Sequence, residues 1–397
     1  MKILKRLVPM LGCTFILTVL PGYARAAGYA ETTLVSNGVV PAAFTDPNLV
    51  NPWGISFFPG ASPFWVSDNN AGVATLYAGD GTPFPSPTTP LVVDIPSPTD
   101  PTKGGATGAP TGQVANLTLF TSTPSFPIFQ NGSFAGLALF IFATEDGTIE
   151  GWNSLPFVSP AITDPDGTLP VSDDAVIVVD NSGSGAVYKG LALASRTLPG
   201  ATAPFLYATN FRTGNVDVFD GNFNQVSVPG GFTDPTVQQG YAPFGIQTIN
   251  NHLWVTYAQQ DAAKHDPVNL PGHGYVSVFD ADGNLLSHFI QRGHLNSPWG
   301  VGLAPSDFGR FSNDILVGNF GDGLINAYDP ASGIWLGVLL NSNGIPIVNP
   351  GLWTVAFSGP AGQTAVGATP DTLYITAGLI GPTHENAGLF AKISPVP

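Results

Sequence analysis

The stretches "NPWGISFFP" at Asn51–Pro59 and "SPWGVGLAP" at Ser297–Pro305 carry nearly the same phrase far apart in one chain. Pro-Trp-Gly followed by an aliphatic residue is too specific to recur by chance, so the two are read as copies in a series. The surrounding sequence supports this. Helix signals are scarce, and short alternating runs rich in Val, Ile, Phe and Tyr are punctuated by Gly, Pro, Asn and Asp. Such a pattern predicts an all-β chain. A long chain of short, evenly spaced strands is searched first for internal repeats.

Each copy has three parts: a Gly followed by an aliphatic residue, a strand ending in a small or polar residue, and a Gly-led alternating strand closed by an Asp turn. "WGISFF", "FWVSDNN" and "GVATLYAGDG" form the first copy, and "PFGIQTI", "LWVTYAQQ" and "GYVSVFDADG" form the fourth. The anchors fall at Gly54, Gly136, Gly190, Gly245, Gly300 and Thr354, with steps of 82, 54, 55, 55 and 54 residues. The long first step holds a Pro/Thr/Gly-rich insertion, about 83–130, expected to be the most irregular part of the chain. Weaker fourth strands follow each copy ("LVVDI", "AVIVVD", "QVSV", "LLSHFI", "WLGVLL"), except the sixth. Four strands per unit at this period predict a six-bladed β-propeller. The orphan strand "ETTLVS", Glu31–Ser36, is expected to complete the sixth blade and close the ring, which removes exposed sheet edges. Gly at the anchor allows the innermost strands to crowd the axis.

Lys2, Lys5 and Arg6 precede an apolar run to Leu20 and the small-residue exit "ARAA", which reads as a signal peptide over residues 1–26. Secretion or a periplasmic location is therefore expected, with residues 27–397 as one domain. The run continues past Cys13, against a lipidated cysteine there. Removing residues 1–26 removes the one cysteine and four bases, leaving 8 basic and 27 acidic residues, or −19. Disulfides and thiolate ligands are then excluded. Such a charge disfavours nucleic acid and anionic membranes and favours neutral or cationic partners. The expectation is a monomer that meets an extracellular carbohydrate, peptide or small molecule and no membrane after signal removal.

The phrase Gly-Ile/Val, Leu-Trp/Tyr-Val-Ser/Thr, Gly-x-Val-x-Val-Phe-Asp resembles the NHL-type repeat of six-bladed propellers. Stretches such as "FATEDGTIEGWN", "YKGLAL", "YATNFRTGNVDVFD" and "VGNFGDGLINAYD" are similar to a family of secreted bacterial propeller proteins, some with a C-terminal Pro-Glu-Pro sorting anchor. The resemblance implies the fold and an extracellular location and brings no activity. This chain departs from it by ending in "SPVP".

In a propeller, loops joining strand B to strand C and loops joining successive blades emerge on one face, where binding chemistry gathers. Of six histidines, His252 falls in an A–B turn and His288 in an outer strand. His265, His273, His294 and His384 fall on the B–C face. His265 with Asp266 and His384 with Glu385 pair an imidazole with a carboxylate and are the candidate catalytic residues, as base or metal ligand. Asn51, Glu145, Asn210 and Asn319 are candidate ligands for calcium or another divalent metal, by analogy with propeller lactonases that hold calcium on the axis. No zinc spacing, Gly-x-Ser-x-Gly elbow or phosphate loop is present. The reading favoured by sequence is ligand or partner binding through the axial face. The alternative is a calcium- or other metal-dependent, lactonase-like hydrolase.

Overall fold

The computed structural model describes residues 28–98, 108–130, 132–154, 173–378 and 385–396. The expected signal peptide and His384 lie outside the described residues. Six sheets are arranged as the blades of a β-propeller, each with antiparallel strands in the order A-B-C-D from the axis outward, and in blade six Phe44–Thr45 adds a fifth, parallel strand at the rim. Blade one comprises Pro52–Ser56, Phe64–Asp68, Val73–Tyr77 and Val92–Asp94. Blades three, four and five repeat the plan from inner strands Tyr188–Leu198, Tyr241–Ile249 and Pro298–Leu303.

The ring has no single core. Among the described residues, six apolar clusters each lie between a pair of adjacent blades, and a seventh lies on the axis. Trp65, Phe140 and Trp152, for example, join blades one and two. Because each sheet is sandwiched between two others, its middle strands are buried on both faces: Phe64–Asp68, Phe140–Thr144 and Ile315–Asn319 are buried throughout. That accounts for strands that read as apolar runs instead of strict alternation.

At the axis the anchors behave as the sequence argument requires. A Cβ added to Gly54 would lie 2.7 Å from the Thr111 carbonyl oxygen of blade two, and one on Gly300 would lie 2.5 Å from the Trp353 carbonyl oxygen of blade six. In blade six Thr354 stands where the others have Gly, and its Oγ1 donates to the Trp53 carbonyl of blade one at 2.6 Å. The side chain that would clash elsewhere is a hydrogen-bonding latch here. Thr376 donates to the same carbonyl at 2.6 Å, and Thr209 of blade three to the Phe244 carbonyl of blade four at 2.9 Å. Buried carbonyls at the crowded axis are thereby satisfied across blade boundaries.

Blade two corrects the sequence reading. Its innermost strand is Pro110–Ala115, with Gly112 as anchor, followed by Phe140–Thr144, Thr148–Trp152 and Val176–Asp180. The stretch around Gly136, expected to be that inner strand, instead forms the hairpin Pro127–Gln130 with Ser133–Leu137 inside the A–B connection. The 83–130 segment therefore contains a core strand. The misreading has a physical cause: where other inner strands carry an aliphatic residue after the anchor, blade two carries Gln113. Its Nε2 donates to the Gly54 and Trp65 carbonyls at 2.8 and 3.0 Å.

Closure follows the expected route. Gly28–Ser36 pairs antiparallel with Leu389–Val396, Thr33 opposite Ala391 and Ser36 opposite Leu389. It also reaches back to blade five. The Tyr29 ring lies 4.9 Å from that of Phe308, and its hydroxyl donates to the Phe308 carbonyl and accepts from the Phe311 amide at 3.0 and 3.1 Å. Tyr29→Ala should destabilise the chain by about 3 kcal/mol in urea unfolding, as truncation of a buried aromatic does. Deleting residues 28–36 should lower the melting temperature by many degrees, and an unchanged melting curve would rule out closure by this strand.

Candidate functional site

The inner strands pass the axis with a local break in their ladders. In blade one the register jumps between Pro52 and Ile55, in blade four between Pro243 and Ile246, in blade five between Pro298 and Val301, and in blade six between Leu352 and Val355. The residues skipped are the anchor and the one before it. Such bulges re-aim side chains. The residue before each anchor is Trp53, Thr111, Lys189, Phe244, Trp299 and Trp353 in blades one to six. Four are aromatic and pack in the axial cluster. Trp53 and Trp353 stack at 3.4 Å, and Trp299 meets Trp53 edge-on at 6.0 Å.

Lys189 takes the position in this ring that an aromatic occupies in four other blades. It is fully buried. Its ammonium lies 5.2 Å from the Trp53 ring centre and 5.8 Å from that of Phe211, within the range of cation–π attraction. It pairs with the Glu145 carboxylate of blade two and, at 3.4 Å, with Asp266 of blade four. A buried ammonium is tolerable only with such compensation. The sequence reading missed Lys189, although a lysine in the slot held by Trp53, Phe244, Trp299 and Trp353 was a visible signal.

Further side chains converge from the B–C loops. His265 Nδ1 lies 3.0 Å from Asp266 Oδ1. Asn69 Nδ2 donates to Glu145 Oε2 at 2.9 Å, and Asn51 Nδ2 donates to Asn69 Oδ1 and to Asn70 Oδ1 at 3.3 Å. Asn51 also accepts from the Trp353 indole at 2.8 Å, which ties the polar layer to the aromatic plug. Asn70 Nδ2 donates to the Glu385 carbonyl at 2.7 Å and so ties blade one to blade six.

Of the sequence candidates, His265, Asp266, Glu145 and Asn51 thus belong to one network, and Glu385 lies in its field. Asn210 is spent within its own hairpin, where its Nδ2 donates to Asp217 at 3.0 Å, whereas Asn319 Nδ2 donates to the His294 carbonyl at 2.9 Å and to Asp322 at 3.3 Å and leaves its Oδ1 buried without a hydrogen bond. His273 packs edge-on against Tyr241, and His294 stacks on Trp335 at 3.9 Å.

The charges perturb one another. The bond to His265 and the nearby ammonium of Lys189 hold the Asp266 carboxyl down at about 2 despite its partial burial. The same bond raises the imidazole of His265 above its ordinary value. Glu385 is pushed up to about 7, first by burial and then by the negative charges of Glu145 and Asp266. The site thus holds a carboxyl raised toward neutrality within the electrostatic reach of an imidazole, a pairing that acid–base work can use. Among the described residues, Glu145, His265 and Asp266 also offer ligand atoms within 4.8 Å of one another. Lys189 pairs with both carboxylates of that trio, so a metal ion there would have to share or displace the ammonium.

Two outcomes are expected. Glu145→Gln leaves Lys189 buried with only a more exposed partner and should cost about 3 kcal/mol of stability, whereas Asp266→Asn, at a more exposed carboxylate, should cost about 1 kcal/mol or less. Equal losses in denaturant unfolding would contradict this division. Because the folded-state value of Glu385 lies above its ordinary 4.5, the native state binds the extra proton between these values. Its contribution to stability is therefore present at low pH and lost as pH rises toward about 7. Glu385→Gln should flatten that part of the stability–pH curve.

No family model matches the chain. Proteins of Acanthamoeba polyphaga mimivirus do, among them "Uncharacterized protein R648", 32% identical over 324 residues that cover 80% of this chain and 71% of the viral one, and "Uncharacterized protein L690", 32% identical over 324 residues that cover 80% and 76%. Among solved structures the chain is similar to a glucose dehydrogenase at 14% identity, covering 91% of this chain and 99% of that one with a TM-score of 0.46. It is also similar to virginiamycin B lyase from Staphylococcus aureus at 12%, 92%, 99% and 0.42, and to the Dos1 propeller at 10%, 92%, 95% and 0.42. Likeness at that level concerns the fold alone. The resemblance drawn from the repeat wording is upheld as far as the six-bladed fold, while the relatives found are viral where that wording pointed to secreted bacterial proteins. The chain belongs to the family of these uncharacterized mimivirus proteins.

Proposed function

We propose that this chain is a ligand-binding propeller that takes a small neutral or cationic polar molecule at the axial mouth of the B–C face. The observation that carries the reading is the convergence of Asn69, Glu145, Lys189, His265 with Asp266, and Glu385 from blades one, two, three, four and six onto one end of the axis. Residues so far apart in sequence are brought together by the ring alone. With one buried ammonium against three carboxylates, the mouth has acceptors to spare and attracts hydroxyl- or amine-bearing ligands. Residues 1–26, read as a signal peptide, support a ligand met outside the cytoplasm. The formal charge of −15 supports partners other than nucleic acid.

The second reading, a metal-dependent hydrolase, is supported by the trio Glu145, His265 and Asp266. It ranks behind because the Lys189 ammonium already pairs with both carboxylates.

The test is calorimetric titration of the full chain with a panel of monosaccharides and primary amines, and separately with calcium and zinc chlorides. A sugar or amine that binds the wild type and loses about tenfold or more of its affinity, about 1.4 kcal/mol, in Asn69→Ala and Glu385→Gln supports the first reading. Binding there to an amine should strengthen as pH rises through about 7, where Glu385 becomes charged. Stoichiometric metal binding abolished by His265→Ala would favour the second reading. Sugar or amine binding indifferent to all three substitutions would refute the axial mouth as the site.

A further inference from the structure

We propose that the opposite end of the axis is a second binding site, for an uncharged and largely apolar small molecule that carries a hydroxyl or carbonyl group. A cavity of about 470 Å³ opens there, walled by the inner strands of all six blades beyond their anchors. Phe57, Leu117, Leu193, Ile249, Leu303 and Phe357, one from each blade, are among the residues that line it. Trp299 forms part of its wall and also belongs to the axial plug, so the cavity ends against the aromatic floor of the polar site.

Three features define the occupant. The volume lies within the range of ligand pockets and is several times that of a cavity that holds benzene. Among the described residues no charged side chain lines it, although the chain has 39 charged residues, so an ionic ligand would meet no counter-charge and would lose its hydration. The polar side chains in the wall are mostly committed: Ser56 Oγ donates to Gln113 Oε1 at 3.0 Å, Gln113 Nε2 to the Gly54 carbonyl at 2.8 Å, and Thr248 Oγ1 to the Leu193 carbonyl at 2.9 Å. Gln247 lines the cavity and is exposed, which leaves its amide available to orient one polar group. The inner strands are also the free edges of their sheets, and their main-chain groups can meet a hydroxyl or carbonyl but cannot neutralise a charge. Leu117 and Leu303 remain 45% and 37% exposed at the mouth, apolar surface that an occupant would remove from water.

The probes are decanol, decanoate as its charged counterpart, and the full chain in thermal-shift and calorimetric titrations. Decanol should raise the melting temperature by several degrees, and decanoate should bind about tenfold or more weakly. Leu193→Glu, which puts a charge into the wall, and Leu303→Glu, at a partly exposed position where folding is unaffected, should both abolish the decanol shift. Glu145→Gln and Asn69→Ala, at the other end of the axis, should leave it unchanged, so the outcome is independent of the polar site. No decanol shift, an equal shift with decanoate, or a shift that survives Leu303→Glu would overturn the proposal. Concentration-dependent dimerisation abolished by Leu303→Glu would overturn it too, with a second copy of the chain as the occupant.

Discussion

Everything in this molecule depends on how little room there is at the axis. Six inner strands meet there, and at each anchor a Cβ would run into the main chain of the next blade, as at Gly54 against Thr111 and Gly300 against Trp353. That crowding demands Gly, breaks each inner ladder by a bulge, and turns the preceding side chain toward the axis. The one tolerated exception, Thr354, shows the same limit from the other side. Its hydroxyl fits because it makes a hydrogen bond with the Trp53 carbonyl it would otherwise strike.

The ring of residues before the anchors then decides the chemistry. Four large aromatics fill the centre, and one lysine is set among them. A buried ammonium in that setting must find anions, and the anions within reach are on neighbouring blades, Glu145 and Asp266. Once these are fixed, Asp266 orients His265, and their combined negative charge falls on Glu385 from blade six. The one charged member of this ring thus organises charged groups from four blades. It also explains why a trio with metal-ligand spacing is already occupied by a cation that the chain supplies itself.

Much of this was legible in the sequence because axial crowding acts on residue identity. A constraint that permits little but Gly leaves a mark every 54 or 55 residues from blade three to blade six, so blade number, strand order and the closing role of Glu31–Ser36 could be read directly. Blade two resisted because its inner strand satisfies the axis differently. Gln113 replaces an aliphatic residue and bonds across to blade one, so "PTGQVA" lacks the expected look, while "FAGLAL" in the inserted hairpin has it. At the site, the B–C loop carboxylates and histidines could be placed on one face from register alone. Which of them touch is a matter of loop shape, and that separates Asn51 and Glu145 from Asn210 and Asn319. Lys189 is less legible for another reason: it sits in a strand phrase, "YKGLAL", that matches the repeat at every other position.

The polarity of the axis follows from strand direction. All six inner strands run the same way past the centre, so position along the sequence becomes depth along the axis. Residues before the anchors, together with the B–C loops, collect at one end, and residues two to four places after the anchors collect at the other. The first set holds Lys189, Glu145 and Asn51, whereas the second holds Phe57, Leu193, Leu303 and Phe357. Trp53, Trp299 and Trp353 stand between the two sets. A substitution of Lys189 therefore acts on charge at the polar mouth, and one three residues after an anchor acts on the apolar cavity. The tryptophan layer, common to both, is where a change at one end would have to pass to be felt at the other.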